Sequence, residues 1–258
     1  LADASTTAAA LALGNAAHAL DYDDLSWGMD GHPSVVLVPP VLALAPRVDA
    51  DGHEAVTAYA VGFEVACAVA EPISPDHYER GWHATSTFGT FGATAAAASV
   101  LGLDAEACRR ALSMAASMPA GTKRNFGSMT KPLHAGLAAR SGVTAALLAA
   151  EGFTTGTETI GGERGFWSLY GDGADAGPSL PRTDGWDIRT AGVHTKRYPC
   201  CYFTHSAIVA AGSIRDDAGL APDDVSAVRV RAAGGAGDAL TYPAPETSLE
   251  AKFSMQHA

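Results

Sequence analysis

Lysine is scarce in this chain. Only four of its 17 Lys and Arg side chains are lysines, Lys123, Lys131, Lys196 and Lys252, and no block of cations occurs in its 258 residues. With a formal net charge of −11, nothing is available to displace counterions from a phosphate backbone or an anionic bilayer, so neither nucleic acid nor membrane is expected as a partner. Cysteine is equally rare. Cys67, Cys108, Cys200 and Cys201 form no C-x-x-C pair, which leaves neither a disulfide framework nor a zinc knuckle. No apolar run reaches the ~18 residues a spanning helix needs, and no charged segment precedes an apolar one at the start, so a soluble, cytoplasmic protein is expected. Aromatic residues make up only 7 %, too few for sheets of bulky side chains, whereas alanine runs at 8–10 and 95–98 suit helices that approach closely. A mainly α protein follows.

Helix signals are clear through the first two thirds. A first helix is expected over 2–20. Asp51 with Glu54 three positions on is a capping box for 55–70, and Pro72 ends that run. Asp104 caps 105–118, and 134–151 is an apolar-periodic stretch closed by Gly152. Gly89, Gly92 and the alanines of 95–98 predict a buried helix over 85–100. Residues 34–45 predict another, which Pro39 and Pro40 should kink or shift. After Gly152 the texture changes: Gly161, Gly162, Gly165, Gly171, Gly173 and Pro178 read as loop. Beyond it 205–217 can be a helix, and 225–231 alternates apolar and polar residues as a half-buried strand does. The resulting reading is a large helical domain over 1–192 and the beginning of a smaller α+β domain over 193–258. Leu1 already lies inside a helical pattern and the last residues carry no stop signal, so a protein cut at both ends is expected.

Four segments hold chemistry. The first runs His18-Ala-Leu-Asp21-Tyr22-Asp23-Asp24 and on to Trp27 and Gly31-His32-Pro33-Ser34; three carboxylates in four residues need a cation, a donor or a proton between them. The second, Gly81-Trp82-His83-Ala84-Thr85-Ser86-Thr87-Phe88-Gly89, puts His83 where a loop enters a helix. A helix N-terminus disfavours imidazolium and offers N–H groups to an anion, so His83 suits a neutral base beside a carboxylate. The third extends from Gly121 through Lys123, Lys131 and His134 to Gly136, with Lys131 just before the N-terminus of a helix beginning near Pro132, where its charge is the wrong sign for the dipole unless an anion is shared. The fourth, Lys196-Arg197-Tyr198-Pro199-Cys200-Cys201-Tyr202-Phe203-Thr204-His205, offers two adjacent cations as a second carboxylate clamp at the domain boundary.

These segments contain no nucleophile elbow, no H-E-x-x-H and no nucleotide loop. They supply carboxylates, imidazoles and amines, which suits abstraction of a proton next to a carboxylate in a small di- or tricarboxylic acid. His83 or His32 fits the base, Lys131 and Lys196 the clamp, and Asp21 the acid or the orienter of an imidazole. Lys123, Arg197, Thr85 and His134 are candidates for binding the anionic polycarboxylate. A different reading makes Asp21, Asp23, Asp24 and His32 the ligands of a divalent ion in a hydrolase, and a third keeps the fold as a non-catalytic scaffold.

As a set and in this order, the segments resemble the MmgE/PrpD family, together with Met129-Thr130-Lys131-Pro132-Leu133-His134-Ala135-Gly136 and Glu250-Ala251-Lys252-Phe253-Ser254. The resemblance implies a helical domain with a smaller α+β lid, a homodimer, and catalysis with neither metal nor organic cofactor. It implies a lyase, foremost a 2-methylcitrate dehydratase-like hydro-lyase, with cis-aconitate decarboxylase-like or iminodisuccinate epimerase-like activity as the alternatives. In the decarboxylase branch the positions matching Asp21, His32, His83, Lys131 and Lys196 line the active site. A Thr is expected there where Leu25 stands and a Tyr where His257 stands, and His257 is therefore a further candidate catalytic residue.

Overall fold

The computed structural model describes residues 4–171, 177 and 185–258. Its elements are α1 (Thr6–His18), α2 (Ser34–Leu44), α3 (Gly52–Ala70), α4 (Asp76–Glu79), α5 (Ala84–Val100), α6 (Ala105–Ala115), α7 (Thr130–Ala150), α8 (Phe166–Tyr170), α9 (Asp187–Thr190), α10 (Tyr202–Ala218) and α11 (Ser248–Ala251). The protein is mainly helical, as its composition implies. Ser5 caps α1 by accepting from the amide of Ala8, Asp104 caps α6 in the same way, and Asp51 with Glu54 closes the capping box of α3.

At the centre lies α5, buried on nearly every face and packed by α2, α3, α6 and α7. Its small residues make this possible, because they let neighbouring backbones come within contact. A Cβ on Gly92 would lie 2.8 Å from the carbonyl oxygen of Gly62 on α3, and one on Gly142 of α7 would lie 2.5 Å from the carbonyl carbon of Ala93. On the far side of α7, Gly14 of α1 faces Gly136 equally closely. By length and composition α7 could cross a membrane, which no apolar run was expected to do; here it packs against α1, α5 and α6.

Several boundaries differ from expectation. Pro39 and Pro40 sit buried inside one helix, α2, which still starts at Ser34; burial of Val35, Val36, Leu37 and Val41 outweighs the two missing N–H groups. The strand expected over 225–231 does not form. Val225, Val228 and Val230 are exposed, and an alternating pattern makes a strand only when another strand pairs with it; among the described residues there are only isolated bridges, Leu25 with His194, Ser26 with Gly31 and Trp82 with Thr122. The glycine-rich stretch after Gly152 is loop up to α8, while Gly173 and Pro178 lie outside the described residues.

That loop is pinned to the core through a buried imidazole. His77 donates from Nδ1 to the carbonyl of Tyr170 (3.0 Å), which leaves Nε2 to accept from the Thr87 hydroxyl (2.7 Å), while its ring packs on Trp82, Phe88 and Phe166. Burial pushes its pKa down to about 4, with Arg80 adding to the shift.

Two consequences can be measured. Gly142→Ala gains roughly 1 kcal/mol of helix propensity, yet the backbone of Ala93 cannot move aside, so a net loss of about 1–3 kcal/mol is expected in urea unfolding. His77 stays neutral when folded but takes up a proton when unfolded below pH ~6.5, so its contribution to stability falls as pH drops from ~6.5 to about 4. Melting temperature should therefore decrease between pH 7.5 and 5, and decrease less in His77→Gln.

Candidate functional site

The site is assembled from loops that leave the helix ends. Residues 19–33 link α1 to α2 and contain a tight hairpin, in which Ser26 and Gly31 exchange backbone hydrogen bonds at 2.8 and 3.2 Å. Gly31 is needed there, since a Cβ would lie 2.8 Å from the amide nitrogen of Thr85. Residues 191–201 come alongside through Leu25 and His194, whose amides and carbonyls pair at 2.9 and 2.8 Å.

Asp21 is the hub. Its Oδ1 accepts from Lys131 Nζ at 2.5 Å and its Oδ2 from Lys196 Nζ at 2.9 Å, and Lys196 also donates to its carbonyl at 3.0 Å. All three side chains are buried. Asp21 has a left-handed backbone (φ 52°), a conformation that costs most residues about 1–2 kcal/mol and is here held by those three bonds. Burial opposes ionisation of its carboxyl, but Lys131 and Lys196 overcome it and hold the group far below the usual carboxylate range.

Around this hub the histidines have assigned hydrogens. Lys131 donates to His18 Nε2 (2.9 Å), so His18 must carry its hydrogen on Nδ1, which donates to Asp23 Oδ2 (2.9 Å). Burial and Lys131 push the His18 pKa down to about 4. His32 Nδ1 lies 3.0 Å from the same Asp23 oxygen and 2.6 Å from the Asp24 carbonyl. Both are acceptors, so His32 too is protonated at Nδ1 and its Nε2 is left over. Asp23, despite its burial, is kept well below the ordinary range by His32 and His18, and its Oδ1 has no partner among the described residues. Burial raises the third carboxyl, Asp24, which accepts from the amide and hydroxyl of Ser34.

His83 is the N-cap of α5 and is fully buried. Its Nδ1 lies 3.0 Å from Nδ1 of His134, its ring stacks on His18 with centroids 5.7 Å apart, and its Nε2 has no partner. Burial, then Lys131 and the neighbouring imidazoles, keep it neutral. Lys131 stands in the first turn of α7, and His134 follows one turn on.

One pocket is lined by Asp21, His32, Thr85, His83, Lys131 and Lys196, closed by Tyr78, Phe126, Cys201 and Phe253. Thr85 is also engaged by the protein, its Oγ1 accepting from the His32 amide at 3.1 Å. Four other candidates lie elsewhere. His134 stands behind His83, not on the pocket wall. Lys123 is held over the Tyr78 ring at 3.8 Å and lies 3.9 Å from Asp238. Arg197 is exposed and lies over the ring of Tyr198, because the neighbouring Lys196 takes the inward position. His257 is exposed in a separate groove beside Cys200 and Lys252. Sequence reasoning gave His18 no role and considered Asp23 only as one of the crowded carboxylates and a possible metal ligand, although His18 stands three residues before Asp21 in the quoted motif, at the last turn of a helix where its ring can reach the same loop.

The trio His18, Asp21 and His32 presents ligand atoms within 4.8 Å of one another, the grouping closest to a metal site among the described residues. Both Asp21 oxygens and the His18 Nε2 already accept from ammonium groups, so a divalent ion would have to enter against two positive charges. These residues do not fit a metal centre.

Known proteins place the chain. Residues 2–179 match the MmgE/PrpD N-terminal domain and residues 198–258 the MmgE/PrpD C-terminal domain. Cis-aconitate decarboxylase of Homo sapiens is 33% identical over 214 residues, covering 81% of this chain and 44% of that protein. The Mus musculus enzyme of the same name is 33% identical over 217 residues, with 81% and 44% covered, and that of Aspergillus terreus is 25% identical over 212, with 76% and 43%. The chain thus spans less than half the length of these relatives. Matched by both family models, which between them cover almost all of its length, the chain belongs to the MmgE/PrpD family.

Proposed function

We propose that this chain carries the acid–base site of a lyase acting on a small di- or tricarboxylic acid, and that the reaction is a decarboxylation of the kind for which its relatives are named. The observation that carries the reading is Asp21 held between Lys131 and Lys196 on the wall of a pocket that also presents His32 and His83. Two ammoniums share the one carboxylate of Asp21, so donor capacity on both Nζ atoms is left to hold a substrate carboxylate.

Loss of carbon dioxide from an unsaturated acid leaves an electron pair that spreads into a neighbouring carboxylate before carbon is protonated. Lys131 and Lys196 suit the first demand, because fixed ammoniums in a site screened from water stabilise developing negative charge strongly. His32 and His83, each with one ring nitrogen not engaged by the protein, suit proton transfer at carbon. Side chains alone can run this chemistry, so neither metal nor organic cofactor is needed.

A hydro-lyase is the second reading, favoured by two positions. Leu25, apolar and buried in the pocket wall, stands where the decarboxylase branch was expected to have a threonine, and His257 does not reach the pocket. Either route shares the ammonium clamp. The small anionic substrate, the homodimer and the cytoplasmic location remain part of the same proposal.

Incubating the full-length protein with cis-aconitate, 2-methylcitrate, citrate and iminodisuccinate in heavy water should release carbon dioxide from cis-aconitate and leave one solvent deuterium on carbon of the product. Loss of water alone from a hydroxy acid would move the assignment to hydro-lyase, and no turnover of any of the four would remove the proposal. In Lys131→Met, kcat/KM should fall by roughly 10²–10³, the scale set by removing one preorganised group that stabilises developing charge; circular dichroism melts would confirm that the variant is folded, and an unchanged kcat/KM would contradict the clamp.

A further inference from the structure

His83 and His134 meet through the same ring atom. Two neutral imidazoles can share an Nδ1–Nδ1 contact of 3.0 Å only if one nitrogen carries a hydrogen and the other is bare. Which ring holds the hydrogen decides what His83 Nε2 can do, and that atom is buried with no partner among the described residues.

The surroundings choose. A hydrogen on Nε2 would be an orphaned buried donor turned into a neighbourhood that already holds the Lys131 ammonium, whereas a bare Nε2 offers a lone pair there. Nδ1 of His83 must then be the donor. The charged and titratable groups around the His83 ring are Lys131 and His134 on α7, His18 at the end of α1 and His32 on the 19–33 loop, with the Phe126 ring edge-on.

The pair is also clamped. The amide of His83 donates to the carbonyl of Gly121 (3.1 Å), and Gly121, at φ +110°, packs so closely on the other imidazole that a Cβ there would lie 3.1 Å from His134 Cγ and Nδ1. Ser86, one turn into α5, donates to the His134 carbonyl (3.2 Å). One glycine and one serine thus fix both rings against each other.

We infer that His134 is a positioning residue, whose bare Nδ1 accepts the Nδ1–H of His83 and so holds His83 in the tautomer with Nε2 free to carry the proton exchanged with substrate carbon. This rests on the proposed acid–base function for its consequence, though not for its geometry. In a decarboxylation Nε2 first takes up a solvent proton and then gives it to the carbon that receives the electron pair left by carbon dioxide; in the hydro-lyase reading the C–H electron pair stays on the substrate and the proton goes to Nε2. His83 becomes an imidazolium that keeps its Nδ1–H, now a stronger donor to His134, which stays neutral throughout. His134 thereby plays the part a carboxylate plays behind other catalytic histidines, without adding a negative charge beside an anionic substrate.

Long-range ¹⁵N–¹H spectra of the folded, histidine-labelled protein test the tautomer without any turnover. The expected result is His83 protonated at Nδ1 and bare at Nε2, with His134 bare at Nδ1; finding Nε2–H on His83 overturns the inference. In His134→Asn, whose side-chain oxygen can stand in for the acceptor, the His83 tautomer should persist and kcat/KM stay within about tenfold of wild type. In His134→Leu, kcat/KM should fall by about 10²–10⁴ with KM little changed, and the limb of its pH profile set by His83 should move to lower pH, because imidazolium loses its acceptor. An unmoved limb in a folded His134→Leu protein would also overturn it. If the tautomers are as stated but no acid is turned over, the functional proposal fails while the positioning of His83 stands.

Discussion

Everything in the pocket depends on one carboxylate gripped by two ammoniums. Asp21 reaches Lys131 across 110 positions of sequence and Lys196 across 175, so a single side chain ties together three segments far apart in sequence, alongside the Leu25–His194 backbone pair and the Lys131–His18 hydrogen bond. Burying three charges is expensive, and such a cluster is a weak source of stability. Its value lies in specificity of arrangement. Removing any member leaves an uncompensated charge away from water, and the 19–33 loop, the start of α7 and the 191–201 segment therefore hold together or fail together.

The second organising feature is the contrast among the imidazoles. His18 spends both nitrogens on Lys131 and Asp23 and is a strut. His32 and His83 each spend only Nδ1 and keep Nε2 in hand. Four histidines that look alike in a sequence are thus divided by their hydrogen-bond partners into scaffolding and chemistry.

Much of the fold was legible locally. Capping residues Asp51 and Asp104 announced α3 and α6, and the small residues of 89–98 announced the buried α5, because both signals act within a few residues of themselves. What failed was nonlocal. The alternation of 225–231 is a real pattern, but a strand also needs a neighbour, which no local pattern supplies. Pro39 and Pro40 argued against an uninterrupted α2, and only the burial of its apolar side chains reverses that. At the site, the scarcity of lysine pointed to four positions worth attention, and all four ammoniums are engaged: two on Asp21, one over Tyr78, and Lys252 on the carbonyls of Leu20 and Pro199. Lys131 and Lys196, expected as the clamp, are the two that share the pocket; that they meet on Asp21 itself was not written nearby, because that partner lies more than a hundred residues from either. Arg197 and Lys196, adjacent and equally cationic, show the same limit: one step along an extended segment turns a side chain from the interior to water.

The burial of α5 on all sides has a last implication for how a molecule gets in. His83 is anchored to a rod that cannot shift without disturbing the whole helical core, and α7, carrying Lys131, packs along that rod. The opposite side of the pocket is built more lightly, from the hairpin bearing Trp27 and from Tyr202 and Phe203 at the start of α10, where Trp27 and Tyr202 touch edge to face while remaining half open to water. The solvent-facing part of the pocket wall is thus that aromatic side, while His83 and Lys131 sit on the buried helices behind it.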